Sequence, residues 1–322
     1  MSSITWNDIC AARERIAGYA HRTPTLSSTA INGMAGATVV FKCENFQKTG
    51  SFKFRGAFNT VASLTPEERA HGVYAHSSGN HAQALALAAQ LHGIPAYIVM
   101  PEDSNPAKVS ATEGYGARVI SCPPTHRGRH ETAARIGEET GAAFVHPHNE
   151  PRVIAGQGTA VCELIEDAGN FDVILTPVGG GGLLSGTSIA TATLLPNTRV
   201  IGCEPAGADD AFRSIRDGRL ITDFTPETIA DGLRTPLGDN TFAILREHVD
   251  RIVLVSEQEI VHAMRTVWER MKIVIEPSSA VAVAPLLRGE FAERGLRIGV
   301  VLSGGNADLE GFFSALSPQA AA

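Results

Sequence analysis

Short β-rich runs alternate with alanine-rich amphipathic segments along the chain from about residue 39 onward. The runs predict nine strands: TVVFKCE, GVYAHS, PAYIVM, ARVISC, AAFVHP, DVILTPV, RVIGCEP, RIVLVS and RIGVVLSGG. The intervening segments have the apolar period of helices, as in EIVHAMRTVWERM, and several end in Gly, as in HAQALALAAQLHG, RHETAARIGEETG and GQGTAVCELIEDAG. Alternation of strand and helix is typical of parallel sheets covered by helices, so the predicted fold class is α/β.

The domain organisation follows from chain length and from the placement of the strands. A chain of 322 residues is long enough for roughly two domains of about 150 residues, and neither a low-complexity linker nor an internal repeat separates them. We predict a large domain formed by residues 1–70 and 150–322, and a small domain, residues 71–149, that closes over the substrate. Ligands of such sheets bind beyond the carboxyl ends of the strands, often between domains.

Composition and charge exclude several classes of function. Hydrophobic residues make up 43% of the chain and charged residues 19%, which excludes a disordered protein. The net charge of −7 and the absence of a basic run give no surface suited to nucleic acid or to an anionic membrane. We therefore expect a small-molecule partner and no nucleic-acid or membrane partner.

The cysteines and the N-terminus bear on location. The five cysteines are scattered and never spaced as CxxC, so neither a disulfide framework nor a zinc site is predicted. The N-terminal residues lack the apolar core of a signal peptide, and no segment has the roughly 18 apolar residues of a membrane span. These features predict a cytoplasmic protein.

The segment TPVGGGGLLSG follows a predicted strand and begins a helix. Four consecutive glycines, Gly179, Gly180, Gly181 and Gly182, allow backbone N–H groups to approach an anion, and the helix dipole favours negative charge there. The segment lacks the lysine of a P-loop and the spacing of a dinucleotide-binding turn. It predicts a phosphate site, although a flexible turn is the alternative.

Lys53 lies between Phe52 and Phe54 in NFQKTGSFKFRGA, so its amine is predicted to occupy an apolar pocket, although two lysines as close as Lys48 and Lys53 more often mark a solvated face. Two other strand ends carry polar residues, HSSGNHAQALA and VLSGGN, although Ser or Asn before a helix is more often a cap than a catalyst. A desolvated lysine, a phosphate site and polar strand ends together satisfy the needs of pyridoxal 5′-phosphate (PLP), whose aldehyde bonds to a lysine amine.

The chain resembles the fold type II PLP-dependent enzymes of the serine/threonine dehydratase and serine racemase family over nearly its whole length. The matching motifs are RTPTLSS, KTGSFKFRGA, SSGNHAQALA, HPHNEPRVIAGQGT, PVGGGGLLSG, EPAGADD, IADGL, EPSSAVAVA and LSGGN. The resemblance implies that Lys53 carries PLP, that the four glycines and Leu183 bind its phosphate, that Asn80 contacts the 3′-oxygen, that Ser303 bonds the ring nitrogen, and that Phe52 flanks the ring. It also implies a homodimer.

A hydroxyl at the ring nitrogen does not favour the protonated ring as a carboxylate would, so the resemblance implies β-elimination. Lys53 would remove the α-proton, the β-hydroxyl would leave with help from the cofactor phosphate, and hydrolysis would give a keto acid and ammonia. Ser77, Asn80 and His81 would hold the substrate α-carboxylate, and Ser78 beside them would also contact the substrate. Ser78 would also face the α-carbon opposite Lys53 and keep racemisation possible as a side activity.

The segment CEPAGADDAF contains Glu204, the Ala208 carbonyl and Asp210 at a predicted strand end. Hard oxygen ligands suit Mg²⁺, Mn²⁺ or Ca²⁺, and the resemblance implies a structural or activating divalent cation at these positions. The alternative is an ordinary acidic helix start.

The predicted substrate loop departs from the family pattern. Serine racemase has acidic residues where PPTHRGRHETA has His126, Arg127, Arg129 and His130, and His148 replaces an asparagine. A cationic cluster suits a second carboxylate on the substrate, although a solvated helix start is the alternative. We expect Arg129 and His148 to bind that carboxylate.

Three functions follow from these observations. The first is dehydration of 3-hydroxyaspartate to iminosuccinate or oxaloacetate and ammonia; the second is serine/threonine dehydration or serine racemisation; the third is regulatory PLP binding without turnover. The intact catalytic positions disfavour the third. The chain ends near LEGFFSALSPQAAA without space for a regulatory domain, so feedback inhibition by isoleucine is not expected.

Overall fold

Two sheets organise the fold, described by a computed structural model for residues 4–291 and 295–308. The strands are β1 (Thr25–Leu26), β2 (Thr38–Cys43), β3 (Val73–His76), β4 (Ala96–Pro101), β5 (Arg118–Cys122), β6 (Ala143–Phe144), β7 (Val173–Pro177), β8 (Arg199–Pro205), β9 (Arg251–Val255) and β10 (Arg297–Leu302). The helices are α1 (Trp6–Ile16), α2 (Thr29–Ala35), α3 (Lys53–Ala62), α4 (Pro66–His71), α5 (Asn80–His92), α6 (Pro106–Gly114), α7 (His126–Thr140), α8 (Pro151–Ala168), α9 (Gly182–Leu194), α10 (Asp210–Asp217), α11 (Asp239–His248), α12 (Glu257–Met271), α13 (Pro277–Ala280) and α14 (Ala284–Leu287).

The larger sheet has the strand order β1-β2-β10-β7-β8-β9 and is parallel except where β1 pairs with β2. The smaller sheet has the order β5-β4-β3-β6 and is parallel throughout. All nine predicted runs form strands, so the prediction of parallel sheets in an α/β fold is confirmed. Strand β1 was not predicted, because two residues are too short to show a period.

Burial explains why the strand runs were readable from sequence. Every residue of β7 is buried, and so is every residue of β10 after Arg297. Strands covered on both faces carry continuous apolar runs. The carboxyl ends of β7, β10 and β3 lead into the glycine loop, Ser303 and Ser77, respectively.

Three helices that reach the site pack unusually close together. A Cβ added at Gly156 of α8 would lie 2.6 Å from the Cα of Gly56 on α3, and one added at Gly186 of α9 would lie 2.5 Å from the amide N of Gly158 on α8. Only glycine permits this spacing. The glycines therefore fix α3, which begins at Lys53, relative to α9, which begins at the phosphate loop.

A buried charge cluster lies beneath the N-terminal turn of α3. The Arg55 guanidinium donates to both oxygens of Glu44, at 2.7 and 2.8 Å, and to both oxygens of Glu163, at 2.7 and 2.8 Å. The Lys42 amine donates to Glu163 and to the Thr23 carbonyl, each at 2.6 Å. Burial raises the pKa of Glu163, but the hydrogen bonds from Arg55 outweigh that effect and lower it. Two cations thus balance two anions away from solvent.

Among the described residues, no helix combines the length and apolar character needed to cross a bilayer. The segment LEGFFSALSPQAAA, on which the expectation about a regulatory domain depends, lies outside the described residues.

Candidate active site

Lys53 is the first residue of α3, directly after a tight turn in which Thr49 and Gly50 both have positive φ. Its amine donates a hydrogen bond of 2.9 Å to the Pro147 carbonyl and lies 5.1 Å from the centre of the Phe52 ring. The turn therefore directs the amine towards the segment that follows β6, between the two sheets.

The surroundings of Lys53 favour a neutral amine. Burial lowers its pKa from 10.5 to about 8, and the nearby Glu276 carboxyl opposes that shift. Desolvation disfavours the charged form of an amine, as a lysine that bonds to an aldehyde requires.

Ser303 directly follows β10 and is joined to the lysine segment, because its carbonyl accepts the Phe52 amide at 3.0 Å. Its hydroxyl lies 3.1 Å from the Ser279 hydroxyl, which in turn bonds the amide and the carbonyl of Gly304, each at 2.7 Å. Ser279 was not predicted from the sequence. It holds the Ser303 hydroxyl in place at the end of the strand.

The glycine loop connects β7 to α9, and Gly181 has a φ of 84°. A Cβ at Gly180 would lie 2.2 Å from the His148 ring, and one at Gly182 would lie 2.9 Å from the His148 carbonyl. A flexible turn would not be enclosed in this way. The buried loop, with Leu183 in the first turn of α9, places backbone N–H groups at a helix N-terminus, where an anion is favoured.

The start of α5 carries the half-buried residues Ser77, Ser78 and Asn80. Gly79 is the N-cap and no side chain caps the helix, so the alternative reading of these residues as caps is wrong. Their polar groups are left to make other contacts. The amide of Asn80 donates to both carboxylate oxygens of Glu276, at 2.9 and 3.1 Å.

Glu276 is a site residue that the sequence reasoning missed. It is buried, and burial raises its pKa to about 7, with a further contribution from Asp231 and an opposing one from the Asn80 hydrogen bond. Asn306 donates to the Asn80 side-chain oxygen at 2.9 Å, which completes the orientation of that amide. The only signal was the motif EPSSAVAVA, which gives no hint of a contact with Asn80.

Three imidazoles line the opposite side of the site. His81 makes a 3.1 Å hydrogen bond to the Val145 carbonyl through Nε2, and burial followed by Lys53 lowers its pKa to about 3. His146 and His148 have ring centres 4.5 Å apart. Burial lowers the pKa of His146 to about 4 and that of His148 well below its usual value. The expectation that His148 is a cation therefore needs correction: without a ligand it is neutral.

The predicted basic loop forms the start of α7 and divides into two groups. Arg127 is exposed and pairs with Glu131 at 2.6 Å, and Arg129 is also exposed. His130, although also exposed, has its ring centre 4.7 Å from that of His76 at the end of β3. For Arg127 the alternative interpretation, a solvated helix start, fits the structure, because its charge is paired with Glu131 outside the site.

Comparison with known proteins identifies the family. The sequence matches the pyridoxal-phosphate dependent enzyme family over residues 16–304. The chain belongs to that family.

Individual members of the family are similar to this PLP-dependent enzyme over nearly its whole length. It is 48% identical to beta-hydroxyaspartate dehydratase of Paracoccus denitrificans, over 95% of this chain and 97% of the relative, and 46% identical to L-threo-3-hydroxyaspartate ammonia-lyase of Saccharomyces cerevisiae, over 97% and 96%. The crystal structure of serine racemase from Dictyostelium discoideum superposes with a TM-score of 0.92 at 48% identity, covering 95% of this chain and 99% of that one. The fold is that of the fold type II PLP enzymes, and the family resemblance is confirmed.

The residues present fit the cofactor of this family. The glycine loop offers a cradle that a Cβ would fill, the lysine amine is desolvated, and the buried Ser51 hydroxyl has no hydrogen-bond partner among the described residues. These features supply an anion site, a nucleophile and an unpaired polar group.

The candidate metal ligands lie at the end of β8, away from Lys53. Both carboxylates are buried; Glu204 accepts the amides of Ala211 and Phe212 at 2.9 and 2.8 Å, as an acidic helix start would. Oδ1 of Asp210, however, is buried without a hydrogen-bond partner in the described part of the chain. Burial and Asp210 raise the pKa of Glu204, and burial raises that of Asp210 to about 7. No group of three or more metal-binding side chains occurs among the described residues, so the set consists of two carboxylates and the Ala208 carbonyl.

Proposed function

We propose that this PLP-dependent enzyme removes water from 3-hydroxyaspartate by β-elimination and releases iminosuccinate, which hydrolyses to oxaloacetate and ammonia. The observation that carries the substrate assignment is the position of the His148 imidazole, which packs against Gly180 of the glycine loop. A second carboxylate of the substrate could bind to this ring and favour its protonated form. Two relatives whose names include hydroxyaspartate support it.

The cofactor contacts are proposed from the positions of the side chains. Lys53 would carry PLP, the N–H groups of the glycine loop and Leu183 would hold its phosphate, Asn80 would contact its 3′-oxygen, Ser303 would meet its ring nitrogen and Phe52 would flank the ring. When bound, PLP withdraws electrons from the α-carbon of the amino acid and so makes its proton acidic.

Lys53 acts as the base in this proposal. Its amine, whose pKa burial lowers to about 8, takes the α-proton at Nζ. The electron pair left on the α-carbon forms a double bond to the β-carbon as the bond to the β-hydroxyl breaks. The departing hydroxyl takes up one proton, which balances the proton gained by Nζ, and leaves as water. Glu276 faces the lysine and orients Asn80, so it positions the cofactor contact without touching the reacting atoms.

The two carboxylates of the substrate would be held at different ends of the site. Ser77, Ser78, Asn80 and His81 surround the N-terminus of α5, where the helix dipole and free N–H groups favour the α-carboxylate. His148, with Arg129 as a partner supplied by α7, would bind the β-carboxylate. Closure of residues 71–149 over the substrate would bring Arg129 to it, and we propose that motion for the small sheet.

Replacing His148 by Asn tests the substrate assignment. The variant should lose a charged hydrogen bond to the β-carboxylate, which lowers kcat/KM for 3-hydroxyaspartate by about 1.5–3 kcal/mol, or roughly 10- to 150-fold. Serine lacks that carboxylate, so its kcat/KM should fall much less. Equal losses for both substrates would mean that His148 supports the loop and does not select the substrate.

A second candidate function is serine racemisation or serine/threonine dehydration. Ser78 favours it, because a hydroxyl lies in the turn into α5 where a second acid/base would face the α-carbon opposite Lys53. A serine racemase of Dictyostelium discoideum is 49% identical to this chain. The substrate preference of the wild type separates the two candidates.

A divalent cation is proposed at Glu204, Asp210 and the Ala208 carbonyl, supported by the unpartnered Asp210 oxygen. Chelation should lower the melting temperature, and Mg²⁺, Mn²⁺ or Ca²⁺ should restore it, because a ligand of the folded state stabilises that state. Asp210→Ala should no longer respond to either treatment. If chelator and cations leave the wild-type melting temperature unchanged, the carboxylates only form a helix start.

The homodimer and the cytoplasmic location stay predictions.

A further inference from the structure

His148 is the one imidazole of the trio His81, His146 and His148 that has both ring nitrogens available to a ligand. Among the described residues, neither of its ring nitrogens makes a hydrogen bond to protein, although its ring packs on Gly180 and lies 4.5 Å from the His146 ring. Its side chain is only partly buried. A ligand entering the site can therefore reach it.

The two neighbouring imidazoles are fixed as neutral groups by their hydrogen bonds. Nδ1 of His146 accepts the amides of His148 and Asn149, at 3.3 and 3.1 Å, so a proton there would displace both donors. Nε2 of His81 donates to the Val145 carbonyl, and its Nδ1 is buried without a partner in the described part of the chain. A proton on that nitrogen would be a buried, unpaired charge. Neither ring can become cationic at low cost.

The groups that face His148 are an amine, other imidazoles and a helix N-terminus. They are Lys53 from α3, His81 from α5, His76 from the end of β3, His146 beside it in the chain and the N-terminus of α9. Two acids of the same region have other partners: Asp239 of α11 accepts from the Asn149 side-chain amide at 2.6 Å, and Glu276 accepts from Asn80. Burial and these neighbours hold the pKa of His148 well below its usual value.

We propose that His148 takes up a proton when the second carboxylate of a dicarboxylate substrate enters the site, so that dicarboxylate binding is coupled to proton uptake. The inference rests on the proposed function, because it concerns the same β-carboxylate. A carboxylate within hydrogen-bond reach favours the charged form of an imidazole, so an incoming dicarboxylate turns the free imidazole into a charged donor. A monocarboxylate such as serine supplies no charge at this position.

The sign of the pH dependence follows from the proton count. The complex holds one more proton than the free enzyme, so dicarboxylate affinity is greatest at low pH and falls as pH rises. Between the pKa of His148 in the free enzyme and its higher value in the complex, the affinity should fall about tenfold per pH unit. The cofactor phosphate is present whichever ligand binds, so it does not cause a difference in proton uptake between a dicarboxylate and a monocarboxylate.

The test uses succinate, a dicarboxylate that cannot undergo elimination, and calorimetry of the PLP-loaded enzyme in two buffers with different heats of ionisation. Near neutral pH the wild type should take up about one proton per succinate bound. His148→Asn should bind succinate more weakly and take up none. His71→Asn, which changes an exposed histidine at the end of α4, should behave as the wild type.

Three results would overturn the proposal: no proton uptake by the wild type, uptake that persists in His148→Asn, or no succinate binding at any soluble concentration. Turnover of 3-hydroxyaspartate is measured separately. Turnover without succinate-linked uptake would reject the coupling and leave the proposed function standing. Uptake without turnover would place a dicarboxylate site in an enzyme that acts on another substrate.

Discussion

Lys53→Ala should contain no covalently attached PLP and should lose at least about 10³-fold in turnover, because the same amine carries the cofactor and removes the α-proton. Burial lowers the pKa of the amine to about 8, and α3 places it beside Phe52 and the Pro147 carbonyl. Another lysine would lack that placement.

Borohydride reduction followed by mass spectrometry measures the attachment directly. Wild type should carry a reduced cofactor on the peptide that contains residue 53, and Lys53→Ala should carry none. Lys48→Ala is the matched control, because Lys48 lies five residues earlier with its amine 5.6 Å from the centre of the Phe54 ring. Cofactor fixed in Lys53→Ala but not in Lys48→Ala would assign the attachment to Lys48.

Arg55→Met should destabilise the folded protein by about 3–5 kcal/mol, because it leaves the buried carboxylates of Glu44 and Glu163 without their main partner. The loss should appear as a lower urea midpoint for unfolding. Since Arg55 lies in the first turn of α3, the remaining folded enzyme should also bind PLP less tightly.

Arg135→Met is the control for that substitution. Arg135 pairs with Glu139 at 2.9 Å, but each side chain is 53% exposed, so the loss should be under about 1 kcal/mol. Equal shifts of the urea midpoint for the two variants would show that the Arg55 cluster contributes no more than a surface ion pair.

The strands of both sheets were predictable because each has a local sequence pattern. A strand such as VILTP is buried at every position, so it appears in the sequence as a continuous apolar run. The helices between the strands end at glycines such as Gly93 and Gly141, both with positive φ, and these too are visible in the sequence. Strand β1 was missed because it has no sequence pattern of its own. Only its pairing with β2 defines it as a strand.

The site was predictable where a motif carried it and not where it depends on distant contacts. Lys53, Asn80 and Ser303 each belong to a quoted motif. Glu276 accepts a hydrogen bond from Asn80, which lies 196 residues away in the sequence. Ser279 of α13 contacts the Ser303 hydroxyl at the end of β10. No spacing in the sequence relates these partners, so only the fold could bring them together.

Charge states were the least predictable property. Arg127, Arg129 and His148 were read together as a cationic cluster, but Arg127 is paired in solvent and His148 is neutral. Whether an imidazole carries a proton depends on burial and on neighbours such as Lys53 and His146. Those neighbours come from different elements of the fold.

The central claim is that the enzyme eliminates water from a β-hydroxy amino acid with two carboxylates. The measurement that tests it most directly is keto-acid release by the purified, PLP-loaded wild type from serine, threonine and each stereoisomer of 3-hydroxyaspartate. Malate dehydrogenase detects oxaloacetate, and lactate dehydrogenase detects the products from serine and threonine. At least one hydroxyaspartate isomer should have the highest kcat/KM. Preference for serine or threonine over every hydroxyaspartate isomer would contradict it.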